Sequence, residues 1–331
     1  MGEIYMQFDR VLLSSCSKIR NDDELAGNFS SVIGEYFIPT ENKTGFYKTN
    51  TSPNSTSDLR ELLASILLNK INVPASDILL AYDDENNEKG CISMNILNEG
   101  EQFLEIFPYP YEEIPQNLKE CNLENFIESD LYVHKLKYNF TPELLQERKN
   151  FLVKYVFISA FLGNDDIKTD NCQAIFNEKN GTIRNPQYYD MGKSFKEKNV
   201  NGQARNFFQN QTDMEVLQEL YEKYPEKIQD ISEKIETSLD RTFIQKVLEN
   251  QVFKDFAPET RKEIWQDMGE KITYISRQNE LLYNKLHTEN SFIISLKEIN
   301  ELTEKTDITL VDKAKVFLHS LKQRVLGGNE R

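Results

Sequence analysis

The sequence predicts an α+β protein of two lobes, a small β-rich lobe with one helix over residues 1–97 and a larger α-helical lobe over 98–331. Three observations predict it. Short β-branched and aromatic runs separated by polar turns fill most of the first hundred residues. A single segment with apolar spacings of three and four interrupts them, and beyond residue 213 nearly the whole chain has helical periodicity. With 331 residues, 39% of them hydrophobic and 11% aromatic, the chain can bury a sizeable core.

Val11-Leu12-Leu13, Ser31 to Ile38 and Thr44 to Lys48 read as strands, the last two joined in a hairpin through Asn42-Lys43. After the polar stretch Thr49–Ser57, Asp58 starts a helix with Leu62, Leu63, Ile66, Leu67 and Ile71 on one face, and Val73-Pro74 ends it. Ile78–Tyr82 and Cys91–Leu97 are further strands, separated by the acidic turn Asp83–Lys89. The lobes join near Asn95–Gly100. Thr141-Pro142-Glu143 combines an N-cap, a first-turn proline and an acid at the positive helix end, and the apolar run after it stops at Gly163. Helical segments then carry Leu217, Leu220 and Tyr221, and Ile228, Ile231 and Ile235. Others span roughly Thr242–Val252, Glu259–Leu286 and Thr309–Leu326, with Trp265 at a core position.

Lys plus Arg number 39 and Asp plus Glu 54, a net charge of −15. Such a chain repels bulk nucleic acid and anionic membrane, since affinity for either begins with neutralising phosphate. Cys16, Cys91, Cys121 and Cys172 show no paired spacing, and His134, His287 and His319 add no metal pattern. Free thiols, no signal peptide and no apolar run of ~18 residues predict a soluble, cytoplasmic protein with no membrane span and no direct nucleic-acid partner.

The informative segment is Gly163-Asn164-Asp165-Asp166-Ile167-Lys168-Thr169-Asp170-Asn171, directly after the long helix. Asp190 lies further on, within Tyr188-Tyr189-Asp190-Met191-Gly192-Lys193-Ser194-Phe195, beyond an apolar strand and a polar turn. Phosphoryl transfer from ATP explains each residue type. Asp166 suits the orientation of an attacking hydroxyl and acceptance of its proton, and Lys168 the offset of phosphoryl charge. Asn171 and Asp190 are oxygen donors of the kind Mg²⁺ takes alongside nucleotide phosphates. D-x-K-x-x-N alone is a common accident in an Asp-, Lys- and Asn-rich chain; the D-x-G after it, on a second hairpin, is what adds weight. Upstream, Lys48 closes an aromatic strand and Glu61 lies 13 residues on, in the first turn of the only helix of its lobe. Singly these read as a solvated strand end and a dipole-favoured acid; together they match a lysine held against phosphates by a helix glutamate.

Glu61-Leu62-Leu63-Ala64 with Ile71-Asn72-Val73-Pro74 resembles the E-x-x-A…[IL]-G-[VL]-P helix of HipA-like kinases. Asn164–Asn171 and Tyr188–Phe195 are similar to their catalytic loop and metal segment, and Leu162-Gly163-Asn164 resembles the CtkA type of that serine/threonine kinase family. The ordered matches span roughly residues 44–195. The resemblance implies a protein-kinase-like two-lobed fold, with ATP and Mg²⁺ as cofactors and a Ser/Thr hydroxyl of a protein substrate as acceptor. It assigns Asp166 as base, Asn171 and Asp190 as metal ligands, Lys48 as the phosphate-contacting lysine with Glu61 as its partner, and backbone groups around Asn95, Ile96 and Leu97 as the adenine-facing hinge. It further implies a toxin or effector role, a separate antitoxin protein as partner, and a cytoplasmic location or delivery into a host cell.

The chain also departs from kinase patterns. It has no G-x-G-x-x-G, so the phosphate-covering loop falls at Ser14–Lys18 or at Ala26-Gly27-Asn28. Autophosphorylation at Ser14, Ser15 or Ser17 would add about two negative charges near the ATP phosphates. Asn164-Asp165 stands where eukaryotic kinases carry His-Arg, and Asn72 replaces a glycine. A small-molecule or lipid kinase, and a pseudokinase scaffold, remain as alternatives on the same residues.

Overall fold

A computed structural model describes residues 10–21, 32–49, 56–104, 122–195, 208 and 211–304, with side chains to residue 285. The chain divides into two compact units, residues 1–276 and 277–331, and every contact discussed below lies within the first.

Six strands form the amino-terminal sheet: β1 (Arg10–Leu12), β2 (Ser17–Asn21), β3 (Val32–Ile38), β4 (Lys43–Thr49), β5 (Ile78–Tyr82) and β6 (Glu88–Met94). Their order is β1-β5-β6-β4-β3-β2, antiparallel throughout except for the parallel pair β1–β5. β1 and β2 are consecutive in sequence yet occupy opposite edges. A flat sheet would separate them by about 24 Å, while the link from Leu12 to Ser17 spans at most ~18 Å. The sheet is therefore curled. Val11, Ile38, Tyr47, Leu79, Ala81, Ile92 and Met94 fill its inner face as one cluster.

Alternation along the strands sends Lys48, Leu80 and Cys91 to the other face, which α1 (Ser57–Lys70) covers. Leu59, Leu62, Leu63, Leu67 and Leu68 of α1 are buried there. Burying five such side chains stabilises the lobe by about 1.5–3 kcal/mol each. Asn42 in the β3–β4 turn and Asn72 after α1 take left-handed φ of 50° and 53°, which asparagine tolerates better than most residues.

The second lobe is built on α3 (Pro142–Leu162), whose residues Leu152–Leu162, Lys154 apart, are buried. Thr141 caps it by accepting from the Leu144 N–H, and Gly163 ends it at φ 63°. Against it pack α2 (Leu123–Tyr138), α4 (Asp213–Lys223) and α5 (Pro225–Ser238), and α6 (Arg241–Leu248) and α7 (Pro258–Glu304) follow in the chain. A three-stranded sheet, β7 (Glu101–Phe103), β8 (Ile175–Asn177) and β9 (Ile183–Arg184), carries the chain between the two site loops.

The fold class matches expectation, with differences in detail. α2 and β7 carry no clear apolar period. α2 turns Asp130 and His134 inward, where the Arg148 guanidinium takes both Asp130 oxygens at 2.8 Å and His134 Nδ1 lies 3.1 Å from Asp130. That guanidinium holds the Asp130 carboxyl well below the usual carboxylate range despite burial. β6 ends at Met94 rather than Leu97, and α7 continues past Leu286 to Glu304. Trp265 is half-buried rather than in the core: its Nε1–H donates to the Arg241 carbonyl at 3.1 Å, with the Arg241 guanidinium over the ring. The expected helix Thr309–Leu326, Cys121 and the Ala26–Asn28 candidate loop lie outside the described residues. Among those residues Cys16, Cys91 and Cys172 are free thiols, and no helix is long and apolar enough to cross a membrane.

Candidate active site

β4 and α1 present the first pair of side chains. Lys48 Nζ donates to Glu61 Oε1 at 2.8 Å and Oε2 at 3.1 Å, and to Asp190 Oδ1 at 3.0 Å. Burial pulls the Lys48 pKa down, but Asp190 and then Glu61 outweigh it and hold the ammonium charged. Lys48 in turn lowers the Asp190 carboxyl against the cost of burial. Glu61 is 4% exposed, and burial pushes its carboxyl up against the pull of Lys48. One lysine thus bridges two acids, from α1 and from the segment after β9.

The loop after α3 supplies the second group. Gly163 at left-handed φ turns the chain out of the helix. Buried Asn164 then shapes the approach to Asp166, because its Oδ1 accepts from the Asp166 N–H at 3.2 Å and closes an Asx turn. Asn171 Nδ2 donates to the Asp166 carbonyl at 2.9 Å and to Asp166 Oδ2 at 3.2 Å. Lys168 Nζ lies 3.3 Å from the same carboxylate oxygen. Lys168 and Lys193 also contribute to lowering Asp190, so the two loops share one electrostatic neighbourhood. The Tyr189 hydroxyl ties the two loops together by donating to the Asp170 carbonyl at 2.7 Å.

Asp190 has φ 55°, an uncommon backbone conformation for a residue other than glycine. Its segment is anchored on both sides. Tyr188 exchanges backbone bonds with Pro74 and Ser76 at the exit of α1, and the Phe195 N–H donates to the Leu162 carbonyl at 2.8 Å. Asn95–Leu97 leave β6 towards β7. The Asn95 N–H donates to the Thr44 carbonyl at 2.9 Å, the Ile96 carbonyl accepts from Arg184 Nη2 at 2.9 Å, and the Leu97 N–H donates to Asn95 Oδ1 at 2.9 Å, so three backbone groups of this linker are engaged within the protein. Ser14 and Ser15 sit in a 3-10 turn after β1, where the Ser14 hydroxyl donates to Asp84, and Ser17 and Lys18 belong to β2.

Lys48, Glu61 and Asp190 therefore form one cluster and Asp166, Lys168 and Asn171 another beside it, while Asn95–Leu97 form the interlobe linker. Among the described residues no three His, Cys, Asp or Glu side chains gather as a metal-binding group. Asp190 and the Asn171 carbonyl are hard oxygen donors, a set suited to Mg²⁺, which takes few protein ligands and completes its shell with water and phosphate. Asn164 stands in the loop motif with no role read from the sequence, and Arg60 is not picked out there at all. The Asx-turn spacing Asn164–Asp166 was a usable signal for the former; Arg60 had none, because it binds backbone carbonyls.

The fold is shared with the proinflammatory kinase CtkA of Helicobacter pylori, at a TM-score of 0.51 and 13% identity over 82% of this chain and 99% of that one. HipA of Shewanella oneidensis, solved with HipB and its operator DNA, superposes at a TM-score of 0.43 and 7% identity, covering 72% of this chain and 60% of that one. No protein-family model matches the sequence, and neither does any curated protein.

Proposed function

We propose that this chain is an ATP-dependent serine/threonine protein kinase of the HipA-like class. The reading rests on one observation above others: Lys48 joins Glu61 of α1 to Asp190 of the D-x-G segment, beside a loop carrying Asp166, Lys168 and Asn171, within a fold shared with a kinase.

Each residue then has a role. The Asp166 carboxylate orients an acceptor hydroxyl and takes its proton as the hydroxyl oxygen bonds to the γ-phosphorus and the β–γ bridging oxygen departs with ADP. Asn171, bonded to Asp166, keeps that carboxylate turned to the acceptor. The Lys168 ammonium offsets charge on the transferring group. Lys48 contacts the nucleotide phosphates, and Glu61 fixes its direction. Asp190 and Asn171 would hold Mg²⁺, which when bound neutralises phosphate charge. Residues 95–97 would face the adenine. Toxin or effector action and a separate antitoxin chain belong to the same reading, as does autophosphorylation in the amino-terminal lobe.

Calorimetry with a non-hydrolysable ATP analogue, with and without Mg²⁺, tests it on the wild type and Asp190→Ala. Metal-dependent binding that the variant loses supports the proposal; no binding by the wild type overturns it. Labelled ATP offered with basic protein or with a metabolite mixture separates a protein kinase from a small-molecule kinase.

A further inference from the structure

Three segments of the site meet at two backbone carbonyls. Arg60, the residue before Glu61 on α1, donates from Nη1 to the Ser194 carbonyl at 3.1 Å and to the Phe195 carbonyl. Its Nε donates to Thr56 Oγ1 at 3.2 Å, one turn earlier on the same helix, which fixes the direction of the guanidinium. The guanidinium also lies 5.9 Å from the centre of the Phe256 ring, a buried side chain of the second lobe. Phe195 gives its N–H to the Leu162 carbonyl, on the last residue of α3 before the catalytic loop begins. It also adopts a φ of 55°, which an aromatic residue keeps only where its surroundings impose it.

We infer that Arg60 is a positioning residue, which through the Ser194–Phe195 carbonyls sets Asp190 in register with both Glu61 and the loop that holds Asp166. This inference rests on the phosphoryl-transfer reading above. Two neighbours on one helix divide the work: Glu61 aims Lys48 into the cleft, and Arg60 clamps the segment that carries Asp190 four residues upstream of Ser194. Charge-assisted donation to two carbonyls is stronger than a neutral hydrogen bond and confines the peptide in two directions. The contact acts on main chain, so only the donor is defined by sequence. It predicts that removing the donors loosens Asp190 and weakens its hold on metal, so that more Mg²⁺ is needed, while leaving Lys48 and its Glu61 partner in place.

The test uses Arg60→Met, which keeps an apolar stem and removes every donor, Arg60→Lys, which restores one, and Thr56→Val, which only removes the orienting acceptor. Two quantities are read. Hydrogen–deuterium exchange over residues 188–195 and 159–166, without any ligand, should rise at least tenfold in Arg60→Met, less in Thr56→Val, and return part of the way in Arg60→Lys. The Mg²⁺ concentration giving half-maximal phosphoryl transfer should rise by about tenfold in Arg60→Met, with nucleotide affinity in the absence of metal within twofold of wild type. Exchange and metal requirement both unchanged would overturn the proposal, and so would a uniform rise in exchange across the whole lobe with equal loss of nucleotide affinity. If Arg60→Met fails to fold, Thr56→Val and Arg60→Lys carry the same two readouts. A wild type that binds no nucleotide would sink the kinase reading alone, since the exchange measurement still reports whether Arg60 couples the segments.

Discussion

Lys48 and Asp190 stand 142 positions apart in the sequence and 3.0 Å apart in the fold, and their ion pair joins the amino-terminal sheet to the second lobe. Asp190 thus has a protein cation as partner. Any ion that takes Asp190 must compete with Lys48, and phosphate oxygens arriving at Lys48 would release the carboxylate. Nucleotide and metal are therefore expected to bind with positive coupling.

Replacing Lys48 by Met tests the stability side of this arrangement. Glu61 would then be buried without its cation, and loss of one partner of a buried pair costs about 3–5 kcal/mol. The variant should melt well below wild type, and Lys48→Met with Glu61→Gln should recover much of the loss while remaining inactive. Thermal melts of the single and double variants check it; equal melting of wild type and the single variant would show that the pair contributes nothing.

Asp166→Asn should separate chemistry from binding. The amide keeps the volume and can still accept from Asn171, but it cannot take a proton. A drop in kcat of about 10²–10⁴-fold, with KM for ATP changed by less than about threefold, is the expected result in a steady-state assay. Loss of nucleotide affinity instead would mean that Asp166 works by holding ligand.

The sequence disclosed the parts of the site that are short-range. Lys48 and Glu61 were legible because a strand and the next helix place them, and Asp166 with Asn171 because one loop contains both. α2 was not, because its buried face includes Asp130 and His134, and the charge that makes this tolerable, Arg148, comes from another helix. The parallel pairing of β1 with β5 was equally hidden, since Arg10 pairs with Leu80, far along the chain and beyond α1. Arg60 escaped notice because its acceptors are peptide carbonyls, which every residue has.

A pH dependence of stability is expected from Glu88. Its carboxyl, partly buried against Asp58, with Asp255 nearby, is pushed up to about 8, first by burial and then by Asp58. Among the described residues Asp58 Oδ2 has no donor, so a proton on Glu88 is what would satisfy it. The folded state therefore holds this proton more tightly than the unfolded chain, whose glutamate titrates at about 4.3. The contribution is complete below that value and is lost as pH rises through about 8. Glu88→Gln should flatten the melting temperature across this window and melt above wild type at alkaline pH. A wild-type profile with no decline there would rule the shared proton out.

The end of α3 gives a prediction in which two glycines control for each other. Gly163 and Gly181 both have left-handed φ, 63° and 70°, so alanine at either incurs a backbone cost of about 1–2 kcal/mol. At Gly181 the added methyl meets nothing within 4 Å, whereas at Gly163 it would lie 3.2 Å from Asp213 Oδ2 and 3.4 Å from Lys271 Nζ. Those two atoms are themselves an ion pair at 2.9 Å, and Lys271 is buried, so it has little room to retreat. Gly163→Ala must then either move the pair or tilt the turn into Asn164, whose side chain fixes Asp166. Gly163→Ala should therefore lose more stability than Gly181→Ala in denaturant titrations, and should also lower kcat, which Gly181→Ala should leave alone. Equal losses at the two positions, with kcat intact in both, would show that the pair yields freely and that the turn into the loop is set by something other than the fit around Gly163.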